Sequence, residues 1–142
     1  MKISARNVFK GRITVLKPGA VNSEVGLTTA AGDQIVAIVT NESVKSLGLA
    51  IGVEAIALVK ASSVLVMTEG RGVRLSARNC LHGKITNVTE GPVSAEVTIA
   101  LSAGAQVQAT ITRESATEMA LRAGVQATAV IKASSVIIAV EG

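Results

Sequence analysis

The stretch Ile3-Ser4-Ala5-Arg6-Asn7 returns 72 residues later as Leu75-Ser76-Ala77-Arg78-Asn79. The same offset, without a gap, carries Val59-Lys60-Ala61-Ser62-Ser63-Val64 onto Ile131-Lys132-Ala133-Ser134-Ser135-Val136. Roughly 28 of about 65 aligned positions are identical, far more than one fixed register yields by chance. The chain therefore reads as two copies of one small unit, residues 1–68 and 74–142, joined by a short glycine-bearing linker at 69–73 that keeps the copies close.

Within the first copy, Val8 to Leu16 reads as a strand, with Gly11 expected at a bulge or bend. Lys17-Pro18-Gly19 is a turn. Val21 to Thr28 and Gln34 to Thr40 are strands two and three, parted by a turn at Ala31-Gly32-Asp33. Glu42 to Leu49 reads as a short helix ending near Gly48. Val53 to Lys60 and Val64 to Met67 complete the unit as strands four and five. The second copy repeats this order, with Gly91-Pro92 and Ala103-Gly104 at its turns. Three strands, a short helix and two strands is the order of an OB-type barrel. The expected fold is all-β with one short helix per repeat: two tandem OB-like β-barrel domains.

One unit alone would struggle to bury a full core. Apolar residues are 49% of the chain and charged residues only 17%, and the core must be aliphatic because Phe9 is the sole aromatic residue. Packing of two copies, and then of several chains, is the natural remedy, so a homo-oligomer is expected. The net charge of +4 suits an anionic partner without naming one. No block of Lys or Arg forms a nucleic-acid tail. Cys80 is the only cysteine, which excludes an intrachain disulfide and fits a reducing compartment. The first residues lack the apolar stretch of a signal peptide. The apolar region Leu47 to Met67 is broken by Glu54 and Lys60 and reads as two strands, not a membrane span. A cytoplasmic location, away from membranes, is expected.

The polar residues kept in both copies inside apolar surroundings carry the functional signal. They are Ser4, Arg6 and Asn7; Thr40, Glu42 and Ser43; Lys60, Ser62 and Ser63; and their counterparts Ser76, Arg78 and Asn79; Thr112, Glu114 and Ser115; Lys132, Ser134 and Ser135. Arg offers a planar fork, Lys a point charge, and Ser and Thr rotatable hydroxyls. A tetrahedral dianion needs that mixture, to satisfy its oxygens and to offset the loss of water. Thr40 is equally readable as the N-cap of the short helix, Arg6 as a surface salt-bridge partner and Lys60 as a solvated strand end. Asn7 is expected to fix its own turn. Glu42 suits the helix dipole and would repel an anion. Gly19-Ala20-Val21-Asn22, matched by Gly91-Pro92-Val93-Ser94, is a weaker candidate whose backbone N–H groups could face an anion.

Other chemistries lack their residues. There is no phosphate-binding glycine loop, and one His and one Cys cannot build an all-protein zinc site. No nucleophile–base or acid–base pair recurs in both copies, so no enzyme is expected. A single-stranded nucleic-acid binder would stack bases on aromatics, which this chain lacks. A regulatory module of a larger protein is the remaining alternative.

Ser-Ala-Arg-Asn near the start, Gly19-Ala20-Val21-Asn22-Ser23-Glu24-Val25, Val39-Thr40-Asn41-Glu42-Ser43 and Val59-Lys60-Ala61-Ser62 together resemble the molbindin (Mop) domain. Two in tandem resemble the di-Mop molbindins, cytoplasmic molybdate-binding proteins. The resemblance runs from about Lys2 to Val140. It implies OB-like barrels, assembly as a trimer, and molybdate or tungstate held between domains by hydrogen bonds and charge, with no direct metal–protein bond and no cofactor. Carried over, Ser4, the Ala5 N–H and Arg6 come from one domain, and Thr40, Ser43, Lys60, Ala61 and Ser62 from a neighbour. In the second copy the same roles fall to Ser76, Ala77, Arg78, Thr112, Ser115, Lys132, Ala133 and Ser134. The segments Gly19, Ala20, Val21, Asn22 and Gly91, Val93, Ser94 resemble a second class of oxyanion site, which Pro92 weakens by removing one N–H. The resemblance implies storage and homeostasis of the oxyanion.

Overall fold

Alternation of apolar and polar residues, broken by glycine and proline turns, builds ten strands. In the computed structural model, which describes residues 1–142, the first repeat forms β1 (Asn7–Pro18), β2 (Asn22–Thr29), β3 (Gln34–Thr40), α1 (Asn41–Leu47), β4 (Glu54–Val59) and β5 (Leu65–Met67). The second repeat forms β6 (Asn79–Glu90), β7 (Ser94–Leu101), β8 (Gln106–Thr112), α2 (Arg113–Glu118), β9 (Gln126–Ile131) and β10 (Ile137–Ala139). The order of elements is the one the sequence predicts. β4 and β9 are buried without interruption from Ala55 to Val59 and from Ala127 to Ile131, as befits central strands covered on both faces.

The strands pair as two curled antiparallel sheets, in the orders β10-β4-β1-β2-β3 and β5-β9-β6-β7-β8. The fifth strand of each repeat therefore lies in the other repeat's sheet. Leu65 pairs with Val130 and Met67 with Thr128, while Ile137 pairs with Leu58 and Ala139 with Ile56. A 3₁₀ turn at Ala61–Ser63 leads the chain off β4 and packs against β8; its twin at Ala133–Ser135 packs against β3. The exchange joins both repeats in one cluster of 25 buried apolar residues, with Ile13, Leu27 and Ile35 from one side and Ile85, Ile99 and Ile131 from the other, all fully enclosed. Sharing a core answers the difficulty that a unit of this size faces alone.

Two local features differ from expectation. Gly11 is not the bulge. The β1–β2 register shifts between Ile13 and Val15, so the extra residue is Thr14. Gly11 is instead a point of close approach: a Cβ there would lie 2.3 Å from the Thr28 carbonyl oxygen, and one at Gly83 would meet the Ala100 carbonyl at the same distance. Asn7 does not fix its own turn either. It is 2% exposed and reaches the other repeat, its Nδ2 donating to the Gln108 carbonyl at 2.9 Å and its Oδ1 accepting from the Gln108 N–H at 2.7 Å. Asn79 makes the same pair of bonds with Val36, at 2.8 and 2.7 Å.

Candidate functional site

Two symmetry-related corners collect the residues singled out by the sequence. Asn7 pairs with Val59 across β1 and β4, so Arg6 and Lys60 are the next residues outward along that strand pair. Asn79 pairs with Ile131, which places Arg78 and Lys132 likewise. Because the Asn7 amide is bonded to Gln108 and the Ala61–Ser63 turn packs on β8, the first corner faces the strand that ends in Thr112. The second corner faces β3, which ends in Thr40. Within one chain, then, Ser4, Ala5, Arg6, Lys60, Ala61 and Ser62 stand together and face the Thr112 end of the opposite repeat. Ser76, Ala77, Arg78, Lys132, Ala133 and Ser134 face the Thr40 end. Arg6 and Lys60 of one repeat thus share a strand pair, whereas the expected grouping joins the Arg6 segment of one domain to the Lys60 turn of a neighbour.

Thr40 and Thr112 are N-caps. The Thr40 Oγ1 accepts from the Ser43 N–H at 3.0 Å and donates to the Ser43 hydroxyl at 2.8 Å, and Thr112 with Ser115 repeats both distances. The cap aligns two hydroxyls at each helix start. Lys60 and Lys132 open the 3₁₀ turns in extended backbone conformation and are exposed. Neither has a carboxylate within 4.0 Å. The first N–H groups of each turn have no partner within it. Ser4, Ser62, Ser76 and Ser134 are exposed, whereas Ala5, Ala61 and Ala77 are half-buried and Ala133 is buried, which fits a backbone role better than a side-chain one.

The arginines have partners that the sequence reading did not single out. The Arg6 Nη1 donates to the Glu96 Oε1 at 3.2 Å, from β1's approach to β7 of the other repeat. Arg78 bonds Glu24 on β2 in the same way. Glu24 also lies 3.9 Å from the Lys17 Nζ. The hydrogen bond from Arg78 holds the Glu24 carboxyl below its ordinary range, against an opposing effect of burial and with added attraction from Arg78 and Lys17. Glu24 and Glu96 are identical in the two copies, a signal that was present in the sequence.

The glycine-turn segments abut the helix starts: Asn22 pairs with Thr40 and Ser94 with Thr112, and the Asn41 and Arg113 N–H groups donate to the Val21 and Val93 carbonyls at 2.8 and 2.9 Å. The Gly19 N–H donates to the Asn22 carbonyl at 2.8 Å and the Gly91 N–H to the Ser94 carbonyl at the same distance, so both are occupied within their own turns. Ala20, Asn22 and Ser94 are exposed, and Val21 and Val93 are 70% and 81% exposed. Two clefts, of about 600 and 250 Å³, lie on the outer face near Arg12 and Glu54 and near His82 and the linker; none of the predicted residues lines them. No three His, Cys, Asp or Glu residues converge as metal ligands. No helix is long and apolar enough to cross a membrane.

Fold and corners together define a tandem pair of OB-like domains with cationic, hydroxyl-rich seams. The chain belongs to the TOBE-domain family, whose model matches residues 3–66 and again 75–138, as a tandem of Mop-type repeats. It is 46% identical over 142 residues to the molybdenum transport protein ModE of Azotobacter vinelandii, and 42% identical over 139 residues to the molybdenum-pterin-binding protein MopA of Rhodobacter capsulatus. It spans about half the length of these curated relatives, 52% of each. One repeat's length matches molybdenum-pterin-binding protein 2 of Clostridium pasteurianum, at 43% identity over 67 residues and 98% of that protein. A solved structure of ModG, described as a cytoplasmic molybdate-binding protein with molybdate bound, matches with a TM-score of 0.96 at 52% identity, covering 99% of this chain and 100% of that one.

Proposed function

We propose that this chain binds molybdate or tungstate at its two corners, in the cytoplasm, and serves intracellular storage and homeostasis without catalysis. The observation that carries this reading is the doubled set of unpaired lysines, Lys60 and Lys132, each on the strand pair that carries an arginine and each opening a serine-bearing turn that packs on the strand leading to a helix start capped by Thr and Ser. A dianion of tetrahedral shape uses such donors on several sides, with charge-assisted hydrogen bonds roughly twice as strong as neutral ones. The name of ModG and the molybdate in its structure support the choice of anion. The corners lie open on one chain, so an anion there is enclosed by a neighbouring chain in a homo-oligomer, a trimer in this reading. Exposed Val21, Val93, Ile51, Leu65 and Ile137, each at least 60% accessible, supply apolar surface for that assembly. The glycine-turn segments Gly19–Asn22 and Gly91–Ser94 are then a second, weaker anion site.

Equilibrium dialysis of the purified protein against molybdate, with sulfate as competitor, tests the reading. Saturable molybdate binding is expected, and the sulfate competition measures how far the site separates two tetrahedral dianions of equal charge. Lys60→Ala and Lys132→Ala together remove two charge-assisted contacts, each worth about 1.5–3 kcal/mol. Undiminished affinity in that double variant would refute the site assignment.

A further inference from the structure

The two corners are related by the repeat but not by charge. Glu24 faces Lys17 directly across β1 and β2, and its side chain is 18% exposed between Lys17 and Arg78. Its twin Glu96 faces Thr89 across β6 and β7, is 48% exposed and holds Arg6 alone. One carboxylate therefore meets two cations at the Arg78 corner, and one cation at the Arg6 corner. The neighbouring differences run the same way. α1 carries Lys45 and Ser46 where α2 carries Thr117 and Glu118. Arg113, which replaces Asn41 beside the second cap, is offset by Glu90 at 3.9 Å.

We propose that Glu24 and Glu96 act as built-in counter-anions that position the arginine of the opposite repeat, and that Lys17 makes the Arg78–Lys132 corner the tighter of two unequal oxyanion sites. This rests on the oxyanion reading above and adds an order of filling to it. Each carboxylate keeps its arginine extended toward the seam. It also cancels the charge that a dianion would otherwise feel. At the Arg78 corner Lys17 neutralises that carboxylate, so the full charge of Arg78 and Lys132 remains for the ligand. At the Arg6 corner Glu96 has no second cation, and its charge opposes the incoming dianion. One unit charge at such range, partly screened by water and salt, separates the sites by roughly three- to tenfold in affinity.

Calorimetric titration of the full chain with molybdate tests this, using Lys60→Ala to isolate the Arg78 corner and Lys132→Ala to isolate the Arg6 corner. The Lys60→Ala protein is expected to bind its remaining molybdate roughly three- to tenfold more tightly than the Lys132→Ala protein. Adding Lys17→Thr to the first should remove that advantage. Adding Thr89→Lys to the second should raise its affinity, a gain that misfolding cannot mimic. Glu96→Gln in the same background should also strengthen binding, because the amide still accepts from Arg6 without the charge. Equal affinities in the two single-lysine variants, or no gain from Thr89→Lys and Glu96→Gln, would overturn the inequality while leaving the oxyanion reading in place. No saturable binding by the parent chain would instead overturn the oxyanion reading.

Discussion

Asn7 completes the edge of a sheet to which it does not belong, pairing its side-chain amide with both the N–H and the carbonyl of Gln108 as a further strand would. A second donation, to the Val59 carbonyl at 3.2 Å, ties β1 to β4 at the same point. The amide is thus the joint of three strands from two repeats. Asn7→Ala should leave the Gln108 groups unpaired and cost about 1–3 kcal/mol in urea denaturation. Asn7→Asp should be no better, since a carboxylate there would face two carbonyl oxygens without a donor. A variant as stable as the parent would show that water replaces the amide freely.

The exchange of β5 and β10 makes each half of the chain incomplete. A fragment of residues 1–72 keeps β4 but loses β10 from its edge, and carries β5 with no β9 to receive it. Leu65-Val66-Met67 and Ile137-Ile138-Ala139 are near-equivalent apolar strands, so either can fill either edge. The fragment is expected to fold by pairing with a second copy of itself, giving a dimer or larger species by light scattering and a melting temperature that rises with concentration. A folded monomer at all concentrations would contradict this.

Much of the fold was legible because it is local. Turn glycines, alternation and the Thr-x-x-Ser spacing mark β3, α1 and its cap to within a residue or two. The exchange was not legible, since two short, similarly apolar strands give no clue as to which edge each joins. Nor was the partner of Asn7, since a buried amide and a turn-forming one look alike in sequence. The repeat exposed the cations and hydroxyls of the corners, because polar residues recurring among apolar ones stand out. Glu24 and Glu96 recur as well, but inside alternating strands a Glu reads as a solvated face. The helix ends show the reverse case. Gly48 closes α1 at a φ of 65°, yet its counterpart Ala120 takes a φ of 51° without being glycine, a strain no sequence rule announces.

Glu24 gives the corner a pH signature. Its carboxyl is held below the ordinary value of 4.5 chiefly by the hydrogen bond from Arg78. A group whose folded-state value is depressed stabilises the protein above its unfolded value and loses that contribution as pH falls through the folded one. The stability difference between parent and Glu24→Gln should therefore stay constant from neutral pH down to about 4.5 and shrink below it. Urea midpoints of both proteins across that range check this. A difference that persists undiminished in acid would mean the bond does not depend on the carboxylate charge.

Thr40 and Thr112 are helix N-caps, and the proposed part they take in the anion site is one that substitution can separate from the cap. As N-caps they satisfy the Ser43 and Ser115 N–H groups, and Thr40→Ala should cost about 0.5–2 kcal/mol of stability in the absence of any anion. Thr40→Asp retains the cap, since Asp is at least as good there as Thr, and a negative charge suits a helix N-terminus. The same charge would stand at the edge of the Arg78–Lys132 corner and repel a dianion. Stability close to the parent with a clear loss of molybdate affinity is therefore expected for Thr40→Asp, by thermal melting and dialysis on the same preparation. If affinity is kept as well, the threonine serves the helix alone, and the anion lies nearer the lysine turn than the helix start.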